Sequence, residues 1–430
     1  MKPILIRGGR LIDPSAHLDA PRDLLLTDGK VAAVDAPGKI KLAGAEVIDA
    51  KGLTVSPGLV DIHVHLREPG QGYKETIATG TAAAAAGGFT TVCAMPNTVP
   101  VNDSPEITRW MQAPERGAAI RVFPIAAATR GSMGETLSEY TALKAAGAVA
   151  VTDDGKPILG DSIMRQALTS AARVNLPVIQ HAEDTRLTGG CSMNAGALAF
   201  SLGLRGMPVE AESGLVERDI RLVAELKDSR PHLHVAHLST KAALDAVRRA
   251  RRNGLRVTCE VTPHHFVLNE EAVGNYNTKA KMNPPLRAEL DRQAMIEGIL
   301  DGSIDCIATD HAPHAAHEKE QEFERAPNGI TGLESALGLS IAILHVQKNL
   351  PLSRVIALLS SHPANVLNLK GRGTLSVGSA ADVVIFDPAK QWIFKESESK
   401  SKSKNTPFDG WTLQGKVLLT ISEGRVVYRA

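Results

Sequence analysis

Eight short apolar runs, separated by stretches of helical periodicity, constrain this 430-residue chain more than any other feature in it. They cover residues 59–65, 90–95, 121–127, 148–152, 177–181, 233–237, 256–261 and 305–309, and the apolar spacing between them predicts helices over 75–86, 136–146, 162–174, 212–227, 241–252 and 290–300. Alternation of this kind is the mark of βα units around a parallel sheet, and eight is the number of strands that closes a barrel. The predicted fold is therefore α/β, a (β/α)8 TIM-like barrel over 56–373. Residues 1–55 and 374–430 instead read as short strands broken by turns, and Glu423-Gly424-Arg425-Val426 repeats the hairpin signal of Asp28-Gly29-Lys30-Val31. These two segments are predicted to form one small β-sandwich domain. Within the second, residues 395–404 are Ser, Lys and Glu with nothing apolar after Phe394, a composition that predicts a mobile loop.

Forty-eight basic side chains against forty-seven acidic ones leave a formal charge of +1, which gives no electrostatic ground for binding nucleic acid or an anionic membrane. The N-terminal apolar run is broken too early for a signal peptide, and no uninterrupted apolar stretch reaches the roughly 18 residues of a membrane helix. A cytoplasmic enzyme acting on a small molecule is expected. Cys93, Cys191, Cys259 and Cys306 are widely spaced, so buried or free thiols are expected in place of thiolate metal ligands.

Barrel chemistry belongs at the C-terminal ends of the strands. His63 and His65 end the first run, Asp153-Asp154 follows the fourth, His181 ends the fifth, His237 the sixth, and Asp310-His311 follows the eighth. A bare His-x-His also fits two core histidines. Four imidazoles and two carboxylates meeting at one barrel mouth, however, suit two divalent cations that share a bridging ligand. Arg67 lies two residues beyond His65, where a guanidinium can hold a substrate carboxylate by two parallel hydrogen bonds. Asn97, after the second run, is a candidate amide contact.

The motifs His63-Val64-His65-Leu66-Arg67 with Glu68-Pro69-Gly70, Met95-Pro96-Asn97-Thr98, Thr152-Asp153-Asp154-Gly155, His181-Ala182-Glu183, His237-Leu238-Ser239-Thr240, Glu260-Val261-Thr262-Pro263-His264-His265 and Ala308-Thr309-Asp310-His311-Ala312-Pro313-His314 run through most of the chain. Together they resemble those of bacterial class I dihydroorotases in the amidohydrolase superfamily. The resemblance implies reversible, zinc-dependent cyclisation of N-carbamoyl-L-aspartate to L-dihydroorotate in pyrimidine biosynthesis. It implies a first zinc on His63, His65 and Asp310, a second on His181 and His237, and Asp154 as the bridge, with Asp153 and a carbamylated Lys156 as rival bridges. One or two zinc ions fit this set.

By the same resemblance a metal-bridging hydroxide is the nucleophile in hydrolysis and Asp310 the general acid/base, while His65, Arg67, Asn97, Asn283, His314, Asn328 and Gly329 contact substrate. Relatives often carry Phe where this chain has Asn328. His264 and His265 are expected to form hydrogen bonds behind the ligands and not to bind metal. Residues 315–322 read either as a shield over the site or as a solvated connection. A homodimer or a complex with aspartate transcarbamoylase is compatible with the resemblance. Two alternative readings remain: a hydantoinase or allantoinase, which would not need Arg67, and a catalytically silent scaffold, which has no reason to keep the full ligand set.

Overall fold

The computed structural model describes residues 2–430. All eight expected runs contain strands, and these are parallel to their neighbours. Leu59–Val64, Phe89–Ala94 and Arg121–Pro124 form one sheet; Ala126–Ala127, Val151–Thr152, Val178–Gln180, Leu233–Val235, Val257–Val261 and Cys306–Ile307 form a second, paired in chain order. Only Ile125 separates the two sheets along the chain, and its N–H donates to the Ala94 carbonyl. At the far edge Val64 bridges His311 in parallel, with the His65 N–H on the His311 carbonyl at 2.9 Å.

Every residue of Leu59–Val64 and of Phe89–Ala94 is buried, as expected for strands covered on both faces. The helix Lys241–Arg252 has the predicted bounds, with the Thr240 side chain capping the Ala243 N–H and three arginines in its last turn. The helix predicted over 136–146 is shorter, Tyr140–Ala145. Its expected first turn is extended instead, because Leu137 bridges Thr129 and the Ser138 N–H donates to the Ala128 carbonyl. Tertiary hydrogen bonds outweigh helix propensity there.

Strands from both chain ends share a single eight-stranded mixed sheet. Val383–Ile393 lies antiparallel to Thr54–Pro57 and to Thr412–Ser422, while Ile4–Asp13 joins the N-terminal strands to it. Alternation along Val383–Ile393 explains how this sheet is seated. Val383 and Ile385 belong to an apolar core drawn from both termini, and Val384 and Phe386 point the other way into the large core that the helices build on the parallel strands. No helix among the described residues is long and apolar enough to cross a membrane.

The segment 395–404 departs from expectation. Its Ser401 and Ser403 are buried, and donors along it are fixed on acceptors from distant parts of the chain. The Ser399 hydroxyl and the Lys400 N–H go to Glu334, the Ser401 hydroxyl and the Lys402 N–H to Glu75, and the Ser403 hydroxyl to the Lys74 carbonyl. A segment without apolar side chains is anchored here by polar partners, Glu334, Glu75 and Lys74, that lie more than 60 residues away, so its own composition carries no sign of them.

Candidate active site

The first parallel strand carries an irregularity that sets up the site. Asp61 pairs with Val92 but Val64 pairs with Ala94, so one extra residue is inserted on the first strand. Strict alternation would put His63 on the side opposite Val60 and Ile62. The bulge reverses that parity: Val64 turns outward into the large helix-covered core, and His63 and His65 face the interior. The Asp61 carboxylate holds this irregularity by accepting from the His63 N–H at 3.0 Å and from the Thr309 N–H and hydroxyl.

His63 Nε2 lies 3.6 Å from Asp154 Oδ1 and 3.5 Å from Asp310 Oδ1, and His65 Nε2 lies 2.8 Å from Asp310 Oδ1 and 3.7 Å from Asp154 Oδ2. His181 Nδ1 is 2.9 Å from His237 Nε2 and 3.7 Å from Asp154 Oδ1. Three trios, His63/His65/Asp154, His63/His237/Asp310 and Asp154/His181/His237, each keep their donor atoms within 4.8 Å of one another. All six expected ligands are thus brought together, and Asp154 touches both imidazole pairs. Arg67, His237 and Asp310 adopt left-handed backbone at φ 62, 31 and 45, which for residues with a Cβ costs about 1–3 kcal/mol each and recurs at functional sites.

The donor set fits divalent cations on two further observations. His63 Nε2 is buried and has no hydrogen-bond partner, while its Nδ1 is 2.6 Å from Glu260 Oε1. With the proton held on Nδ1 by that carboxylate, the Nε2 lone pair faces two aspartates across a gap, an arrangement costly without a cation. The electrostatics agree. Burial alone would push the His63 imidazole down, yet Asp310, Glu260 and Asp154 outweigh it and carry it up to about 10. Burial is likewise outweighed at Asp154 by the His181 hydrogen bond and at Asp310 by His63, so both acids lie well below the usual carboxylate range. The cavity favours positive charge.

Asp153 is committed elsewhere, accepting from the Thr129 N–H and hydroxyl, and Lys156 is exposed to solvent. Arg67 is buried, donates from Nε to the Pro313 carbonyl at 3.0 Å and sits 3.2 Å from His314 Nε2. Among the described residues it has no carboxylate partner, neither Glu68, which accepts from the Ile77 N–H, nor Glu75, which faces His311.

Asn97 lies between two ligands, its Oδ1 2.9 Å from His65 Nδ1 and its Nδ2 donating to Asp154 Oδ2 at 3.1 Å. Asn283 donates to Glu183 Oε2 at 2.7 Å, beside His181. At Gly329 the N–H already donates to the Lys281 carbonyl, and a Cβ would meet the Ala312 oxygen at 2.5 Å; Asn328 is exposed. His265 binds the Pro284 carbonyl and Thr262, and neither His264 nor His265 belongs to a ligand trio. Lys319, in the 315–322 segment, is buried and donates to the Pro327 carbonyl.

Sequence reasoning assigned no role to Glu260 or Glu183. Glu260 backs His63, and Glu183 lies 3.0 Å from His181 Nε2. The available signal was a carboxylate inside the apolar strand Val257–Val261, where an ionised group requires a partner.

The chain matches the Dihydro-orotase-like family over residues 52–243 and the Amidohydrolase family over 300–428. It is 47% identical to the dihydroorotase of Syntrophus aciditrophicus and 50% identical to that of Syntrophotalea carbinolica, covering 99% of each chain in both cases. Its fold is similar to that of L-hydantoinase (dihydropyrimidinase) from Arthrobacter aurescens, with a TM-score of 0.88 and 25% identity over 100% of this chain and 96% of the other. The dihydropyrimidinase of Brevibacillus agri has a TM-score of 0.85 at 23% identity, over 99% and 95%. With near-complete coverage by relatives of almost one-half identity, the chain belongs to the dihydroorotases of the amidohydrolase superfamily.

Proposed function

We propose that this chain interconverts N-carbamoyl-L-aspartate and L-dihydroorotate at the mouth of a closed (β/α)8 barrel over 56–373, with 1–55 and 374–430 forming the second domain. The Val64–His311 bridge and the continuity through Ile125 support closure, and the shared sheet supports the domain division. His63, His65 and Asp310 would hold one zinc ion, His181 and His237 a second, and Asp154 would touch both. Bound zinc supplies water ionised near neutral pH and positive charge toward the substrate carbonyl oxygen.

Asp310, ionised at neutral pH, accepts the proton of the attacking water. As the ring C–N bond breaks and a C–O bond forms, it returns that proton to the departing amide nitrogen. In cyclisation the ureido nitrogen attacks the carboxylate carbon, protonated Asp310 gives its proton to the departing oxygen, and the carboxylate so formed takes the proton that the nitrogen loses and passes it to the same oxygen, which leaves as water. Asn97 keeps His65 and Asp154 in register, and Glu183 does the same for His181. The second face of each task is binding, and it falls to Arg67.

The observation that carries this reading is the buried Arg67 guanidinium with no carboxylate of its own next to the His/Asp cluster. Both substrates keep a carboxylate that takes no part in the reaction, and a hydantoin or allantoin lacks one. Arg67→Ala is expected to raise KM for dihydroorotate about 10–100-fold, the worth of a charge-assisted hydrogen-bond pair, with bound metal retained. Equal turnover of hydantoin and dihydroorotate by the unmodified protein, or an Arg67→Ala variant with unchanged KM, would refute it.

A further inference from the structure

The polar segment over 399–406 has no part in the reaction as derived, yet it ends in a buried amide that grips the main chain on either side of Pro313, whose carbonyl supports Arg67. Asn405 is 3% exposed. Its Oδ1 accepts from the His314 N–H at 2.9 Å, and its Nδ2 donates to the Ala312 carbonyl at 2.9 Å and to the Gly329 carbonyl at 3.0 Å. Its own carbonyl accepts from the Thr331 N–H. Every hydrogen-bonding group of the side chain therefore clamps the connection after the eighth parallel strand against the 329–331 segment.

That connection supplies both protein contacts of Arg67, the Pro313 carbonyl to Nε and the His314 imidazole to Nη2. Nη1 has no protein partner among the described residues and is free for an anion. We propose that Asn405, reaching over from the sheet built by the chain termini, is a positioning residue for substrate carboxylate recognition: by fixing residues 312–314 it sets the pose of the Arg67 guanidinium. The rest of the segment fixes Asn405 in turn, through Glu334, Glu75 and the Lys74 carbonyl. Asn405 touches neither the ligands nor the reacting atoms, so its loss acts on binding and leaves the chemical step alone.

This inference rests on Arg67 being the carboxylate anchor, and the test separates the two. Steady-state dihydroorotate hydrolysis is measured at saturating zinc for the unmodified protein, Asn405→Ala, Arg67→Ala and the double variant, with bound metal quantified in each. Asn405→Ala is expected to raise KM about tenfold with kcat within about twofold and metal content unchanged, and to add little in the Arg67→Ala background, since residues acting through one contact are not additive.

Asn405→Asp keeps the acceptor for the His314 N–H at the same volume but sets a carboxylate oxygen against the Ala312 and Gly329 carbonyls. It is expected to show the same KM-only defect and stands in if the alanine variant does not fold. An unchanged KM in a folded Asn405 variant, losses that multiply in the double variant, or a fall in kcat accompanied by lost metal would overturn the proposal. An Arg67→Ala variant without effect would instead remove the anchor reading beneath it.

Discussion

Glu260→Gln removes the carboxylate behind His63 and leaves the shape of the site intact. Glu260 faces three groups: His63 Nδ1 at 2.6 Å, His234 Nε2 at 3.2 Å and the His237 N–H at 3.3 Å. A carboxylate accepts from all three, whereas a glutamine amide has a single acceptor oxygen and turns an N–H toward at least one of them. The lost interaction at His63 is charge-assisted and buried, worth about 1.5–3 kcal/mol, or about 10–100-fold at 1.4 kcal/mol per decade. Because the carboxylate holds the His63 proton on Nδ1, that loss falls on the availability of Nε2 to a cation. Zinc affinity measured by competition with a chromogenic chelator is therefore expected to drop about 10–100-fold, with dihydroorotate hydrolysis recovering in excess zinc. Affinity within about twofold of the unmodified protein, in a variant with an unchanged unfolding midpoint, would refute the assignment of Glu260 as the group that orients His63.

Asp310 must be ionised to accept a proton in hydrolysis and protonated to give one in cyclisation, so the hydrolytic rate should rise with pH while the cyclisation rate falls; profiles of equal sign in the two directions would contradict its role. Asp154→Ala should abolish turnover and reduce bound metal, while Lys156→Ala, an exposed position, should leave both within about twofold; the opposite pattern would mark Lys156 as the bridge. Removing metal with a chelator should lower the unfolding midpoint, since an ion bound only by the folded chain at about 100 times its Kd contributes about 2.7 kcal/mol. Equal midpoints with and without zinc would mean that the buried imidazoles and carboxylates do not hold it in the folded state.

Much of this site was legible because it is built from local rules. Parallel strands end at one rim, so the chemistry-bearing residues that follow each apolar run had to meet there, and His63, His65, Asp154, His181, His237 and Asp310 do. The same logic misjudged what depends on partners remote in sequence. Simple alternation assigned His63 and His65 to a shared face without the bulge at 61–64 that turns that face inward. The mobile loop expected over 395–404 is instead held on Glu334 and Glu75.

What the sequence determined alone is the order of strands and helices and the kinds of donor at the strand ends, since both follow from the periodicity of neighbouring residues. Only the tertiary structure decided which carboxylate stands behind which imidazole and where residues 399–406 rest. Glu260 meets His63 across 197 positions and Ser401 meets Glu75 across 326. A hydrogen bond between polar groups so far apart leaves no period along the chain, because its geometry is set by the packing of the elements that carry the two ends.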